Sequence, residues 1–592
     1  MIDNMILSHS GWRGIFTASG DEEDRSGEIG AAHRMITAGA ACVFAEYLQS
    51  RQGLSPLVLV GCDTRPTGKT IAGVLIPALL ACGCRVCYAG ITASPEIMTW
   101  ARSTGNHAGF IYITASHNPI GHNGFKFGLT DGGVIDADQS AELICRFRTL
   151  MEEPGISSRL EKLITGADPD ALQEILTAEP HTKARAWDAY YTFSNVVAWG
   201  YASAGAAASE AASAAENFNH NLGVCCDFNG SARCVSIDRE FFTNAGIQFE
   251  AINAEPGKIV HRIIPEGASL EPCRQYLEEL HCRNPAFILG YVPDCDGDRG
   301  NLVMWDEALG KARTLEAQEV FALVCMAELA FAPGEKPAVV VNDPTSLRID
   351  RIAAAFGAPV FRAEVGEANV VGLARRLRED GYTVRILGEG SNGGNITHPS
   401  AVRDPLHTVL AIARLLSFRS EHGKPGLFEK WCTASGQRQL YHPGFTLADI
   451  IASLPPFHTT GTDDPQGILK IASTDQNALK RRYQLIFLEE WEKYKDPLMA
   501  RYGIHGWAAA VYNGMVEQKG IADFGQAGTG GLKICFHDEG GTDIASIWMR
   551  RSATEPVFRI IADAQGTDKQ AVEYLQSWQR RMIIKADTLP GV

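Results

Sequence analysis

The 592-residue chain is too long for one hydrophobic core, and about three to five domains are expected of it. Its composition, 45% hydrophobic and 21% charged with no polar low-complexity tract, is that of a chain folded over most of its length. A formal net charge of −15 with no basic run argues against a nucleic-acid partner, so any anionic substrate must meet a local cluster of positive charge.

In chain order, the opening MIDNMILSHSGWRG lacks a basic run followed by an apolar core, so no signal peptide is expected. Residues 57–61 read as a buried strand, 68–82 as a helix, 85–89 as the next strand and 109–113 as another. The same theme returns at 222–227, 231–245 and 247–252. It returns again at 338–342, 346–356, 359–363, 367–379 and 383–387. Apolar strands alternating with helices predict three similar α/β domains with mixed or parallel sheets. Closely spaced strands at 532–536, 544–550 and 556–562, with a helix near 567–583, predict a C-terminal α+β domain. The alanine-rich stretch 202–215 reads as a connector, and the polar stretch 456–480 as a lead into the last domain. The expected boundaries are 1–200, 201–315, 316–430 and 431–592.

No run of about 18 apolar residues occurs, so no membrane span is expected. The 15 cysteines lie scattered through apolar segments, which suits reduced thiols and a cytoplasmic location. Cys82, Cys84 and Cys87 cluster without a fourth metal ligand nearby and read as buried structural thiols.

Four loops carry possible chemistry. Thr114-Ala115-Ser116-His117-Asn118-Pro119 follows the strand GFIYI, at a carboxyl end where α/β sheets bind ligands. Ser116 beside His117 offers a nucleophile with a base, and the alternative is a Ser/Asn turn closed by proline. Asp294-Cys295-Asp296-Gly297-Asp298-Arg299 places three carboxylates at alternate positions, enough for one hard cation. An EF-hand would need Gly and Glu where Arg299 and Trp305 stand, which leaves a solvated acidic turn as the rival. Gly388-Glu389-Gly390-Ser391-Asn392-Gly393-Gly394 offers acceptors to sugar hydroxyls, or is a plain glycine turn. Arg550-Arg551-Ser552-Ala553-Thr554-Glu555-Pro556, with Arg559 beyond, suits a phosphate clamp, and the rival is a helix capping box from Ser552 to Glu555.

These strings, in this order, resemble the α-D-phosphohexomutase family, the phosphoglucomutases and phosphomannomutases. The resemblance implies four domains, heart-shaped around a central cleft, with a phosphoserine at Ser116. It implies Mg2+ held by Asp294, Asp296, Asp298 and an oxygen on Ser116. It implies sugar contacts from Glu389 and Ser391, and phosphate contacts from Arg550, Ser552, Thr554 and Arg559. Arg13 in Ser10-Gly11-Trp12-Arg13-Gly14 matches the family's opening arginine, and Lys126 in Asn123-Gly124-Phe125-Lys126 matches a candidate acid/base or charge stabiliser. His117 and Arg299 complete the expected catalytic and substrate-binding set.

The implied reaction interconverts a hexose 1-phosphate and a hexose 6-phosphate through a hexose 1,6-bisphosphate, which also serves as activator. Glucose is favoured because Gly393 stands where many members carry a histidine. Glu367, after Val365-Gly366, departs from the Gly-His or Gly-Trp of many members and leaves mannose or N-acetylglucosamine phosphates open. A non-catalytic phosphosugar-binding paralogue is the reading outside enzymes. The C-terminal domain is expected to move as the cleft closes. Family-specific additions are expected at 150–185 and 415–480. Neither monomer nor dimer is indicated.

Overall fold

A computed structural model describes the chain except at residues 1, 3, 9, 54, 106–107, 200–220, 333, 422, 463, 553–556 and 589–592. The expected connector at 202–215 and the clamp residue Thr554 therefore lie outside the described residues. Two compact units emerge, one of residues 1–314 and 396–413, the other of residues 315–395 and 414–592.

The first sheet holds β1 (Ile6–Ser8), β2 (Gly11–Ile15), β3 (Leu57–Cys62), β4 (Arg85–Ile91), β5 (Ala108–Ile113) and β6 (His122–Leu129) in the order β1-β2-β6-β5-β3-β4. β3 runs parallel to β4 and β5, and β6 returns antiparallel. The second sheet, β7 (Gly223–Asp227), β8 (Gln248–Ile252), β9 (Phe287–Pro293), β10 (Gly300–Asp306) and β11 (Lys311–Thr314), is ordered β11-β10-β9-β7-β8. The third, β12 (Pro337–Asn342), β13 (Val360–Ala363), β14 (Thr383–Glu389) and β15 (Gly394–Thr397), is ordered β13-β12-β14-β15.

One plan recurs in all three. Counting from β3, β7 and β12, the first strand is flanked by the second on one side and the third on the other, and the fourth follows the third. The Ser116, Asp294–Asp298 and Glu389–Ser391 loops all leave the carboxyl end of that third strand. In each sheet it adjoins the first strand, where the connections diverge and a crevice opens. The strands are apolar runs because helices cover both faces: Val58, Leu59, Val60, Phe110, Ile111 and Ile113 are all fully buried. Each such side chain contributes about 1.5–3 kcal/mol by leaving water.

The fourth sheet comprises β16 (Phe457–Thr459), β17 (Ile468–Leu469), β18 (Gly506–Asn513), β19 (Val516–Lys519), β20 (Gly531–His537), β21 (Asp543–Arg551) and β22 (Phe558–Gln565), all paired antiparallel. One face, with Leu532, Ile534, Phe536, Ile547, Met549 and Ile560, joins an apolar core with helices Gln476–Tyr502 and Gln570–Thr588. This is the α+β domain that the sequence predicts.

Differences from the sequence reading are local. Residues 231–245 form a 3-10 turn, Ala232–Val235, and a shorter helix, Asp238–Asn244, because Arg233 turns inward to bond Asp238. The stretch 456–480 is more than a lead-in, since β16 and β17 both pair with β22. Within 150–185 lie the helices Ile156–Thr165 and Pro169–Thr177, and within 415–480 the helices Leu427–Ala434 and Leu447–Ala452. Among the described residues, no helix is long and apolar enough to cross a membrane.

Candidate active site

Ser116 is buried at the end of β5 with a left-handed φ of 53°, a conformation that costs a non-glycine residue about 1–2 kcal/mol. Its surroundings over-determine that geometry. The Ser116 amide donates to Thr114 Oγ1 at 2.8 Å, and Thr114 Oγ1 donates to Asp63 Oδ2 at 2.7 Å. Arg65, in the loop after β3, donates to the carbonyls of Ser116, Asn118, Pro119 and His122 and pairs with Asp63. One guanidinium thus gathers the Ser116 loop.

Ser116 Oγ donates to Asp294 Oδ2 at 3.0 Å. Asp294, Asp296 and Asp298 are buried, and each offers an oxygen within 4.8 Å of the others. The turn is closed by Gly297 N–H to Asp294 O and Asp294 N–H to Arg299 O, which aims alternate side chains inward. Burial, then Asp296 and Asp298, pushes Asp294 up to about 7. Burial opposes the charge on Asp298 too, but Arg403 and Lys126 outweigh it and hold that carboxyl well below the usual range. Lys126 Nζ donates to Asp296 Oδ2 at 2.7 Å and to Asp298 Oδ2 at 2.8 Å. Asp296 Oδ1 and Asp298 Oδ1 are buried without a hydrogen-bond partner among the described residues. Two orphaned oxygens among three crowded carboxylates fit a hard divalent cation. A solvated acidic turn would be exposed, so burial removes that rival.

Positive charge surrounds the serine. Arg299 Nε donates to Asp294 Oδ2 at 3.2 Å, and Arg403 Nη2 to Asp298 Oδ2 at 2.8 Å. Arg13, on β2, is buried, and burial followed by Arg299 and Arg403 pulls it down to about 10. Arg13 Nε and Arg299 Nη2 are buried with no acceptor among the described residues. His117 Nδ1 lies 3.4 Å from Ser116 Oγ; burial, then Arg299 and Arg13, holds it well below the usual imidazole range. It is therefore neutral near pH 7. Unsatisfied guanidinium nitrogens beside a buried hydroxyl suit an oxyanion on that hydroxyl.

The second unit carries the other two loops. Glu389 Oε1 accepts from Gly366 N–H at 2.8 Å, and Asn342 Nδ2 donates to Ser391 Oγ at 3.0 Å. Arg550 and Arg559 face each other across β21 and β22. Arg550 donates to Glu364 Oε1 at 2.8 Å. The chain leaves β21 at Arg551 and re-enters strand at Phe558, with Ser552 N–H bonded to Val557 O. Nearby, burial and then Arg550 lower Lys480 to about 7, while burial raises Asp343 to about 7.

Two family models match the chain: phosphoglucomutase/phosphomannomutase alpha/beta/alpha domain I over residues 10–153, and domain III over residues 318–426. Both models are of the phosphoglucomutase/phosphomannomutase family that the sequence resembles, and residues 10–153 and 318–426 carry the match. A phosphoglucomutase/phosphomannomutase of Thermococcus kodakarensis is 25% identical over 89% of this chain and 90% of its own length. A phosphoglucosamine mutase of Geobacillus kaustophilus is 35% identical over 120 residues, which is 20% of this chain, and the chain spans about a quarter of that relative's length. Two solved structures share the fold. A phosphoglucomutase/phosphomannomutase family protein of Burkholderia thailandensis has a TM-score of 0.60 at 17% identity, with 99% of each chain covered. The open form of Paramecium pp63/parafusin has a TM-score of 0.58 at 13% identity, covering 94% of this chain and 93% of its own.

The structure gathers Arg13, Ser116, His117, Lys126, Asp294, Asp296, Asp298 and Arg299 in one place. Sequence reasoning missed Arg65, Arg403, Asp343 and Glu364. Arg65 and Asp343 follow the carboxyl ends of β3 and β12, so the rule that singled out Ser116 could have found them. Arg403 and Glu364 carry no local signal.

Proposed function

We propose that the chain is a phosphohexomutase that interconverts a hexose 1-phosphate and a hexose 6-phosphate by way of a phosphoserine at Ser116. The observation that carries this reading is the 3.0 Å bond from Ser116 Oγ to Asp294, one of three buried carboxylates, with Arg13, Arg299 and Arg403 close by. Asp294, Asp296, Asp298 and an oxygen on Ser116 would hold Mg2+. Bound there, the ion would offset the charge that builds up as a phosphoryl group moves.

The chain's own residues do the rest. Arg65 fixes the loop so that Ser116 Oγ keeps one position. Arg13 and Arg299 turn their unsatisfied nitrogens to the serine phosphate. In the forward step the P–O bond to Ser116 Oγ breaks and a new P–O bond forms to the sugar's free hydroxyl. That hydroxyl's proton ends on the released Ser116 Oγ, which again donates to Asp294 Oδ2, with neutral His117 beside it. The bisphosphate then turns over, and its other phosphate returns to Ser116. Arg550, Ser552, Thr554 and Arg559 grip whichever phosphate is not reacting, while Glu389 and Ser391 meet ring hydroxyls.

Glucose is the preferred sugar on this reading, because Gly393 leaves the position after the Glu-x-Ser string without a side chain. The phosphoglucosamine mutase relatives make glucosamine 1-phosphate the second candidate. The test is a rate panel of glucose, mannose, glucosamine and N-acetylglucosamine 1-phosphates with Mg2+ and a trace of the matching 1,6-bisphosphate. Intact mass should show the resting protein carrying one phosphoryl group, lost in Ser116→Ala together with activity. Full activity in that variant would end the mechanism, and a faster glucosamine arm would reassign the sugar.

A further inference from the structure

The face of the fourth sheet turned away from its apolar core is charged. Lys533 on β20, Trp548 and Arg550 on β21, and Arg559 and Asp563 on β22 all lie on it, as alternation along each strand requires. Arg550 and Arg559 are direct cross-strand partners. Like charges in that relation are destabilising, and they call for an anion.

The structure already supplies one. Glu364, just past β13, takes both Nε and Nη2 of Arg550 on the single oxygen Oε1, with Nη2 at 2.8 Å. Its other oxygen accepts from Gly514 N–H at 2.8 Å, and its own amide donates to Gly514 O at 2.8 Å. The side chains of Arg550 and Glu364 are only 11% and 15% exposed, so the pair is largely out of water. The edge of the guanidinium that would fork a phosphate is therefore occupied by a carboxylate which the tip between β18 and β19 holds in place.

We propose that Glu364 is a resident counter-anion of the phosphate clamp, which the phosphate of the sugar must displace from Arg550. This rests on the reading of Arg550 as a phosphate ligand. The consequence is chemical: the clamp never presents a bare cation, so it holds phosphate less tightly than its arginines would alone. A mutase must let go of each phosphate once per turnover, when the bisphosphate reverses. A carboxylate tethered at Gly514 returns to Arg550 as the phosphate leaves and spares the guanidinium from being stranded in a dry site. Glu364 is thus a positioning residue that sets affinity and release through Arg550. The same segment reaches the sugar loop, because Gly366 N–H binds Glu389.

The experiment measures binding of glucose 1-phosphate, and separately of inorganic phosphate, by calorimetry. It uses the full-length Ser116→Ala protein, in which no turnover occurs. Glu364→Gln keeps the shape and an oxygen for the Gly514 amide but loses the charge. It should bind both probes about tenfold tighter, the worth of one charge-assisted hydrogen bond. In the Ser116-containing enzyme the same substitution should lower KM and also lower kcat, because release slows. In an Arg550→Ala background it should change neither affinity. Unchanged or weaker binding in Glu364→Gln would overturn the inference, as would tightening that persists without Arg550. If Arg550→Ala alone leaves both affinities untouched, the clamp reading fails and this inference falls with it. If Arg550→Ala weakens binding but Glu364→Gln does not tighten it, only this inference fails. Should Glu364→Gln not fold, Glu364→Asp pulls the carboxylate back from Arg550, and an intermediate tightening is expected of it, with no change counting against.

Discussion

Arg65→Lys is the sharpest test of how the nucleophile is held. Arg65 is 2% exposed and donates to four carbonyls of the segment from Ser116 to His122 while pairing with Asp63. Lysine keeps the charge, but its three donors radiate from one nitrogen and cannot span the same fan. With one donor kept on Asp63, two of the four carbonyls lose theirs; Pro119 O still accepts from His122 N–H, so one or two are left bare at about 1–3 kcal/mol each, and the loop should be destabilised by about 1–6 kcal/mol. Because Ser116 sits in left-handed backbone, release of the loop lets it relax to an unstrained conformation and moves Oγ away from Asp294. Hydrogen exchange of peptides spanning 108–122 should accelerate by orders of magnitude, and the rate of phosphoryl transfer should fall at least a hundredfold. Exchange unchanged at this loop, with wild-type turnover, would refute the argument.

Gly297→Ala should be nearly as harmful. Its φ of +70° disfavours a side chain by about 1–2 kcal/mol. A Cβ would stand 2.5 Å from Arg233 Cδ, in a residue locked to Asp238 and Asp404, which adds about 1–3 kcal/mol of overpacking. Thermal melts and turnover should both fall, and a variant indistinguishable from wild type would show that the Asp294–Asp298 turn is softer than described. His261 Nε2 lies 3.0 Å from Asp227 Oδ2; burial opposes its charge, but Asp227 prevails and raises it above the usual histidine range. Its contribution is therefore complete below about pH 6.5, the unfolded value, and is lost as pH rises through the higher folded value. The gap in urea midpoint between wild type and His261→Gln should be widest near pH 6 and narrow toward pH 9; a gap that widens would reverse the sign. Cys42 and Cys82 bring their sulfurs within 3.4 Å, with Cys82 half-buried. Hydrogen peroxide should convert the two thiols to one disulfide with release of two waters, seen by non-reducing peptide mapping. Cys225 and Cys273, fully buried, should stay reduced under the same treatment.

Much of this protein was legible one segment at a time. The helix 367–379 and the strands around 57–62, 108–113 and 383–389 follow from apolar runs and breakers, since burial on two faces demands them. The loops at 116, 294–298 and 389–391 were found because each follows such a strand. The helices Ile156–Thr165 and Pro169–Thr177 were not legible, because their faces are set by what they pack on.

By itself the sequence determined the alternation of strand and helix, the three loops at equivalent strand ends and the acidic turn, because each is encoded within about ten neighbouring residues. Only the tertiary structure decided which charges meet. Arg65 reaches Ser116 across 51 residues, Arg403 reaches Asp298 across 105, Lys126 reaches Asp296 across 170, and Arg550 meets Glu364 across 186. No periodicity records such pairings. They exist because the folded sheets exclude water from these carboxylates and guanidiniums, and a charge that has lost its water must find its partner wherever the chain brings one.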